Sequence, residues 1–309
     1  MALSSQTSAG ARVNARRPPA PRRRKHRRAG YGFVAGYLVL LLLFGVAPTL
    51  YAVWLALTNS SGQLVGLGNF TQVLSDYRFL PAFENVAIYL AVWMVVLVVA
   101  VVGLALMLHG RLRRASAASR FVFYLPGALA GAASALVWMF MLDPSVSPVS
   151  WLLRAFGFTT FANVIAPQQL PLVFAVMAFW TGAGGWIVVM YGALNNIPDE
   201  LLEAARLDGA SVFKTAWYVQ IPLLRKWIAY MLILAFATGA QLFVEPQLVG
   251  EASLGEVSDT WAPNQLAYQY AFHSNNFNDA STVSIYLLVL CLACAALVVF
   301  RSGLFEAGQ

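Results

Sequence analysis

Residues 86–108 read VAIYLAVWMVVLVVAVVGLALML, a run without a single charged side chain. A helix rises about 1.5 Å per residue, so a run of this length crosses the ~30 Å hydrocarbon core of a bilayer. Working outward from it, five further stretches of similar character fall near residues 33–57, 121–142, 170–194, 227–249 and 283–300. The chain of 309 residues is 60% hydrophobic and only 11% charged. A soluble domain is nearer half apolar and a quarter charged, and would struggle to cover a core this rich. The fold class expected is an all-α membrane protein with six transmembrane helices. Two spans are irregular. The fourth is interrupted by Gly182, Gly184 and Gly185, and the fifth holds Gln241, Glu245 and Pro246.

The net charge of +7 is placed unevenly. Nine of the twenty Lys and Arg residues lie between Arg12 and Arg28, beside Pro18, Pro19 and Pro21. Residues 1–30 therefore read as a disordered basic tail. An apolar run starts just after it, so the tail reads as a device that sets orientation and meets anionic lipid headgroups, and no nucleic-acid partner is expected. The apolar run to about Leu57 is far longer than the ~7–15 residues of a secretory signal, so an uncleaved first span is expected, and residues 31–309 form the transmembrane domain. With the N-terminus inside, eighteen of the twenty cationic residues fall on the inner side and only Arg78 and Arg154 on the outer. The expected topology is N-in/C-in, in a bacterial inner membrane.

The outer segments have their own grammar. Trp151 to Phe156 reads as a short interfacial helix that stops at Gly157. Residues 250–282 carry Glu251, Glu256, Asp259 and Asp279 with no Lys or Arg. They read either as a docking surface or as solvated connection.

The inner segment 195–226, NNIPDELLEAARLDGASVFKTAWYVQIPLLRK, is far longer than a plain connection needs. Pro198 suits the first turn of a helix, and Asp199 and Glu200 suit its positive end. Leu201, Leu202, Ala204, Ala205 and Leu207 form an apolar side, and Gly209 stands where a left-handed stop is expected. A second short helix through Phe213, Trp217 and Tyr218 should end before Pro222. Two short helices under the membrane, between the fourth and fifth spans, are the expectation. Physics alone also permits a helix pair that only links two spans.

The residues EAARLDGAS at 203–211, followed after nine residues by Ile221-Pro222-Leu223-Leu224, closely resemble the EAA coupling loop of ABC importer permeases. Further matches lie in VGLGNF at 65–70, in FYLP at 123–126 with Trp138 and Asp143-Pro144, and in AFHSNNFNDAS at 271–281. These resemble the carbohydrate-uptake subgroup, and favour its MalF/UgpA-like member over the MalG-like one. The match covers most of the chain after residue 31, whereas the Arg-rich tail is outside it.

The resemblance implies a permease subunit, not an enzyme, working by alternating access. It implies that Glu203 pairs with a basic residue of an ATPase, that Ala204 and Ala205 permit close packing, and that Gly209 supplies the bend. Asp208 and Pro222 belong to the matched pattern. It also implies the partners: a second homologous permease, two cytoplasmic ATPase subunits and an extracytoplasmic solute-binding protein. The chain has no G-x-x-x-x-G-K-[ST] loop, so no cofactor is expected in it, with ATP and Mg on the partner subunits.

Polar groups inside a span are costly and often functional. Gln241, Glu245 and Gln247 are therefore the candidates for the solute path, with Trp180 as a stacking surface. Gln241 and Glu245, four residues apart, are expected on one helix face. The plainer reading places Glu245 at the outer interface beside a helix broken near Pro246. Cys291 and Cys294 lie inside a span without a second ligand pair, which gives redox or metal chemistry little support. An ion-coupled carrier would need intramembrane carboxylates or an inverted repeat, and Glu245 is the only strong intraspan acid. A scaffold subunit using the same loop is the other alternative.

Overall fold

The computed structural model describes residues 34–109, 121–129 and 131–302. The basic tail and Arg111, Arg113, Arg114 and Arg120, read from sequence as inner-side cations, lie outside those residues. The described residues contain helices and turns but no β-strand, with one isolated bridge between Thr58 and Leu64.

The chain separates into two packed units, Met1–Leu50 and Tyr51–Gln309. In the first, helix α1 (Val34–Leu57, which runs on past Leu50) carries a π turn at Leu42–Val46 and leaves its apolar side chains exposed. That is the expected state of a span whose neighbours are lipid or another subunit.

The second unit is built on α3 (Phe79–His109), preceded by the short α2 (Gly68–Ser75). Along α3, Tyr89, Trp93, Leu97 and Val101 recur every four residues and are all buried. They meet a matching stripe on α7 (Leu170–Leu194), where Phe174, Met177, Ile187 and Met190 are buried. Spacing of four residues puts the α3 set on one helix face, and along α7 Phe174 pairs with Met177 and Ile187 with Met190 at a spacing of three. In a bilayer such stripes gain little over lipid contact, so close shape-fit holds the helices.

Small residues provide that fit. Helix α4 (Phe121–Ala128) crosses α7 at Gly184, where a Cβ would overlap the backbone of Phe123 and Tyr124. A Cβ on Gly127 would come within 2.9 Å of the Thr181 carbonyl oxygen. Of the three glycines in the fourth span, Gly184 thus serves close packing, while a Cβ at Gly185 would meet open space.

Two expected spans differ in the structure. The third, 121–142, is not one rod: α4 and α5 (Gly131–Leu142) meet at a bend of 108°. Pro126 and Gly127 end α4 in a 3₁₀ turn, which accounts for the break. Helix α6 (Ser150–Ala155) follows, stopped by Gly157 at φ +87°. The fifth span is displaced. Helix α9 (Val212–Gly239) begins fifteen residues before the expected start and ends ten before the expected end. Its continuation is a separate helix, α10 (Val244–Ala252). In an unbroken helix, Pro246 would clash with the Leu242 carbonyl and forfeit its bond. The chain breaks one turn earlier instead and places Pro246 in the first turn of α10. The last described helix is α12 (Phe277–Ser302), preceded by α11 (Pro263–Tyr268) and a π turn at Gln269–His273. Among the described residues five helices are long and apolar enough to cross a membrane, or six if the bent α4–α5 pair counts as one span.

Polar side chains lock the end that carries α2 and α11. Asn69 Nδ2 donates to the Ala56 and Thr58 carbonyls at 2.9 and 2.8 Å. Asn278 Nδ2 donates to Leu55 and Thr58 carbonyls, and Gln72 Nε2 to the Asp279 carboxylate at 3.1 Å. Arg78 makes a two-pronged bond to Asp76, with Nε to Oδ1 at 3.0 Å and Nη2 to Oδ2 at 2.7 Å. The Tyr270 hydroxyl donates to the same carboxylate, and the guanidinium lies over the Tyr270 ring at 5.2 Å. The Arg78 bonds hold the Asp76 carboxyl well below the usual carboxylate range. Burial, aided by the bond to Asp76, pushes the Tyr270 phenol above its usual range.

Candidate functional site

Two regions gather the chemistry. The first is the connection between α7 and α9. Helix α8 (Asp199–Leu207) carries Asp199 and Glu200 in its first turn, with Pro198 at the cap position just before it. It buries one side chain, Leu202, and leaves Glu203, Ala204 and Asp208 exposed. Asp208 is the C-cap, and Gly209 follows at φ +76°. The Gly209 N–H donates to Arg206 O at 3.0 Å and the Ala210 N–H to Ala205 O at 2.9 Å. This paired closure demands a left-handed residue, which glycine adopts without penalty. Ser211 then caps the next helix, its hydroxyl accepting from the Lys214 N–H at 3.4 Å.

The second short helix does not end before Pro222. It passes through a π turn at Ala216–Gln220 and becomes α9 itself, so the loop helix and the fifth span are one continuous element. The widened turn closes with the Ile221 N–H on Ala216 O, which leaves Pro222 in the first turn of a fresh α segment where its missing N–H costs no bond. Along this stretch Leu207 is 89% exposed, Val212 88% and Phe213 75%, and the Phe213 and Trp217 rings stack at 6.2 Å. Among the described residues no ion pair involves Glu203. An acidic residue beside uncovered apolar side chains is a surface built to be covered.

The second region is a cleft of about 300 Å³ between α3, α5, α7, α9 and the start of α10. Gln241 and Glu245 both line it, but not as neighbours on one helix face. Gln241 lies in the turn after α9 and Glu245 in the first turn of α10. The other two candidates are elsewhere. Gln247 donates to Glu251 at 2.9 Å and accepts from Gln265 at 3.2 Å, which ties α10 to α11. Trp180 is 45% exposed, with its ring edge-on to Trp138 at 6.0 Å.

The aromatic lining of the cleft is Tyr89, Trp93, Trp186 and Phe243, none of which sequence reasoning singled out. The signal was present as spacing: Tyr89 and Trp93 are one turn apart, as are Gly182 and Trp186. The Trp93 indole fits where α7 and α9 lack side chains. A Cβ at Gly182 would lie 3.7 Å from it, and one at Gly239 would lie 3.4 Å from it and 2.8 Å from Leu90 Cδ2.

A helical membrane chain with a polar-mouthed cleft and an uncovered two-helix loop has the makings of a transport subunit. Residues 125–305 match the family described as binding-protein-dependent transport system inner membrane component, and the chain belongs to that family. It is a multi-pass inner-membrane permease of the ABC importer class. The diacetylchitobiose uptake system permease protein NgcF of Streptomyces coelicolor is 27% identical over 296 residues, covering 90% of this chain and 83% of its own length. The sn-glycerol-3-phosphate transport system permease protein UgpA of Agrobacterium fabrum is 27% identical, covering 86% of this chain and 92% of its own. A crystal structure of a bacterial alginate ABC transporter, in complex with an alginate pentasaccharide-bound periplasmic protein, contains a chain of the same fold. Its TM-score is 0.77 at 18% identity, covering 90% of this chain and 95% of that one. These relatives are transport subunits, not enzymes.

Proposed function

We propose that this chain is the permease subunit of an ATP-driven importer for a sugar or a related polar solute. Its termini face the cytoplasm, as the one-sided Lys and Arg distribution requires. A solute-binding protein delivers solute at the face carrying α2 and α11. A second homologous permease completes the pathway, and two ATPase subunits, which hold ATP and Mg, dock on α8 and the start of α9. The observation that carries this reading is the continuity of the loop helix with α9. A push on residues 212–217, which α8 joins through the turn at Gly209, travels along one continuous helix to Gly239, at the wall of the cleft.

In this reading Glu203 meets a cation on the ATPase, Ala204 and Ala205 allow close approach, and Asp208, Gly209 and Pro222 fix the path of the chain. Gln241 and Glu245 stand on the solute path. Closure of the ATPase dimer opens the cleft outward, and hydrolysis returns it inward. Such coupling requires ATP and solute each to favour one state over the other.

The test is uptake by the assembled transporter in proteoliposomes, with and without ATP, using a panel of radiolabelled oligosaccharides. ATP-dependent uptake is expected in the wild type and its loss in a Glu203→Lys, Gly209→Val double variant present at normal amount. Uptake that survives in that variant overturns the coupling role. Uptake that follows an ion gradient without ATP overturns the importer reading.

A further inference from the structure

The cleft's polar groups are unequal in kind. The Thr181 hydroxyl donates to Met177 O at 3.2 Å, and the Thr238 hydroxyl donates to Leu234 O at 2.9 Å. The Gln241 amide donates to Ala237 O at 3.0 Å. All three are bonds back to the preceding helical turn, a common resting place for such donors. They leave the hydroxyl oxygens of Thr181 and Thr238 and the amide oxygen of Gln241 as free acceptors. The fourth polar group, Glu245, is a carboxyl and adds two more acceptors. The side-chain donors that remain in the lining are neutral: the Tyr89 phenol, the Trp93 and Trp186 indoles and the second amide hydrogen of Gln241. Among the described residues no Lys, Arg or His lines the cleft and no ion pair involves Glu245. Glu245 is half-buried at the cleft wall, in the first turn of α10; burial there pushes its carboxyl above the usual carboxylate range, while the dipole at the helix start works toward the ionised form.

We infer that this cleft selects solute by charge, with Glu245 as the determinant: it takes polyhydroxylated solutes that are neutral or carry a protonated amine, and rejects those carrying a carboxylate or phosphate. Sugar hydroxyls and ammonium groups are donors and find acceptors here. The described side chains of the lining offer an anion no cation to pair with, and the Glu245 carboxylate, where ionised, opposes it. The aromatic walls suit the apolar faces of a sugar ring, and a cation gains further from the indole faces. The inference rests on the reading that the cleft lies on the solute path.

Three matched probes test it: radiolabelled glucose, glucosamine and glucuronate, which share a pyranose ring and differ in charge. Each is titrated onto the assembled transporter in nanodiscs without binding protein. Glucosamine and glucose should bind at least about tenfold more tightly than glucuronate, since two like charges at close range in a protein setting cost a factor of that order or more. Glu245→Gln keeps the shape and removes the charge, and should bring glucuronate to within about twofold of glucose. Glu245→Ala, as a second variant, should do the same, while Glu245→Lys should reverse the order. Equal binding of all three probes to the wild type, or an unchanged ratio in both Glu245→Gln and Glu245→Ala, overturns the charge selection and leaves the path reading standing. No binding of any probe, together with unaltered uptake when Gly182→Trp fills the cleft, overturns the path reading and the inference with it.

Discussion

The two ends of this molecule treat their polar groups in opposite ways. At the end carrying α2 and α11, Asp76, Arg78, Tyr270, Gln72, Asn69 and Asn278 all find partners within the chain. At the α8 end, Glu203 has no ion pair among the described residues and Leu207, Val212 and Phe213 lie open. A surface that satisfies itself holds its shape alone. A surface left unsatisfied at that scale is finished by something else. On the proposed function, the difference gives rigidity to the first end and assembly to the second. Between them α9 runs without interruption from the open surface to the cleft.

The comparison breaks first if the α8 end proves indifferent to its partner. Phe213→Asp combined with Trp217→Asp places two charges where the stacked rings now stand. Neither ring packs into the chain's own core, so the subunit should accumulate and insert normally. Its co-purification with ATPase subunits should fall by more than about tenfold, since central aromatic anchors carry ~2 kcal/mol or more each. Undiminished co-purification would remove the α8 end from the assembly surface.

A smaller effect is expected at the opposite end. Asp76→Asn keeps the shape but withdraws the charge that holds Arg78 and Tyr270. Charge-assisted bonds contribute roughly 1.5–3 kcal/mol, so the thermal midpoint should drop by a few degrees while assembly is unchanged. The pH dependence follows from sign. A carboxyl depressed by folding stabilises fully above its unfolded value of about 3.9 and loses that contribution as pH falls through the lower folded value. A phenol raised by folding keeps its proton, and its bond to Asp76, up to and beyond the ordinary value of about 10. The gap in midpoint between wild type and Asp76→Asn should therefore stay constant from about pH 5 to 9 and shrink below about pH 4. A gap that varies through neutral pH would mean some other group governs this end.

The spans and the stop after α8 are legible in the sequence, whereas the contacts that join Asp76, Arg78 and Tyr270 are not. Apolar run length announces spans because lipid leaves the backbone no other partner, and the stop at Gly209 follows from local chain geometry. Local signals failed where one residue has two permitted outcomes. Pro222 was expected to end a helix and instead begins an α segment, because a π turn absorbs its missing N–H upstream. Pro246 was suspected of disturbing the fifth span, yet its ring breaks the chain a full turn earlier, which separates Gln241 from Glu245. The cleft itself was hidden for another reason. Tyr89, Trp93 and Trp186 read as ordinary apolar residues of two spans, and only the meeting of α3, α7 and α9 at Gly182 and Gly239 turns them toward one space. Gln247 and Trp180 share the composition of a solute site, but their positions spend them on α11 and on Trp138.

The finest distinction concerns how the open end keeps its shape without a partner. Between α8 and α9 only two devices act: the left-handed closure at Gly209 and the Ser211 cap. Ser211→Ala removes the acceptor for the Lys214 N–H and nothing else, since the side chain is exposed. Losing such a cap costs about 1 kcal/mol locally, too little to unfold a membrane subunit. Amide exchange at residues 212–215 should quicken by about fivefold as the first turn of α9 frays, while exchange in α8 stays as it was. Coupling should weaken only modestly, because docking on an ATPase would reorder the turn at a similar cost. If exchange is unchanged, the π turn at Ala216–Gln220 and the packing beyond it already hold the start of α9, and the rod from loop to cleft is stiffer than its capping suggests.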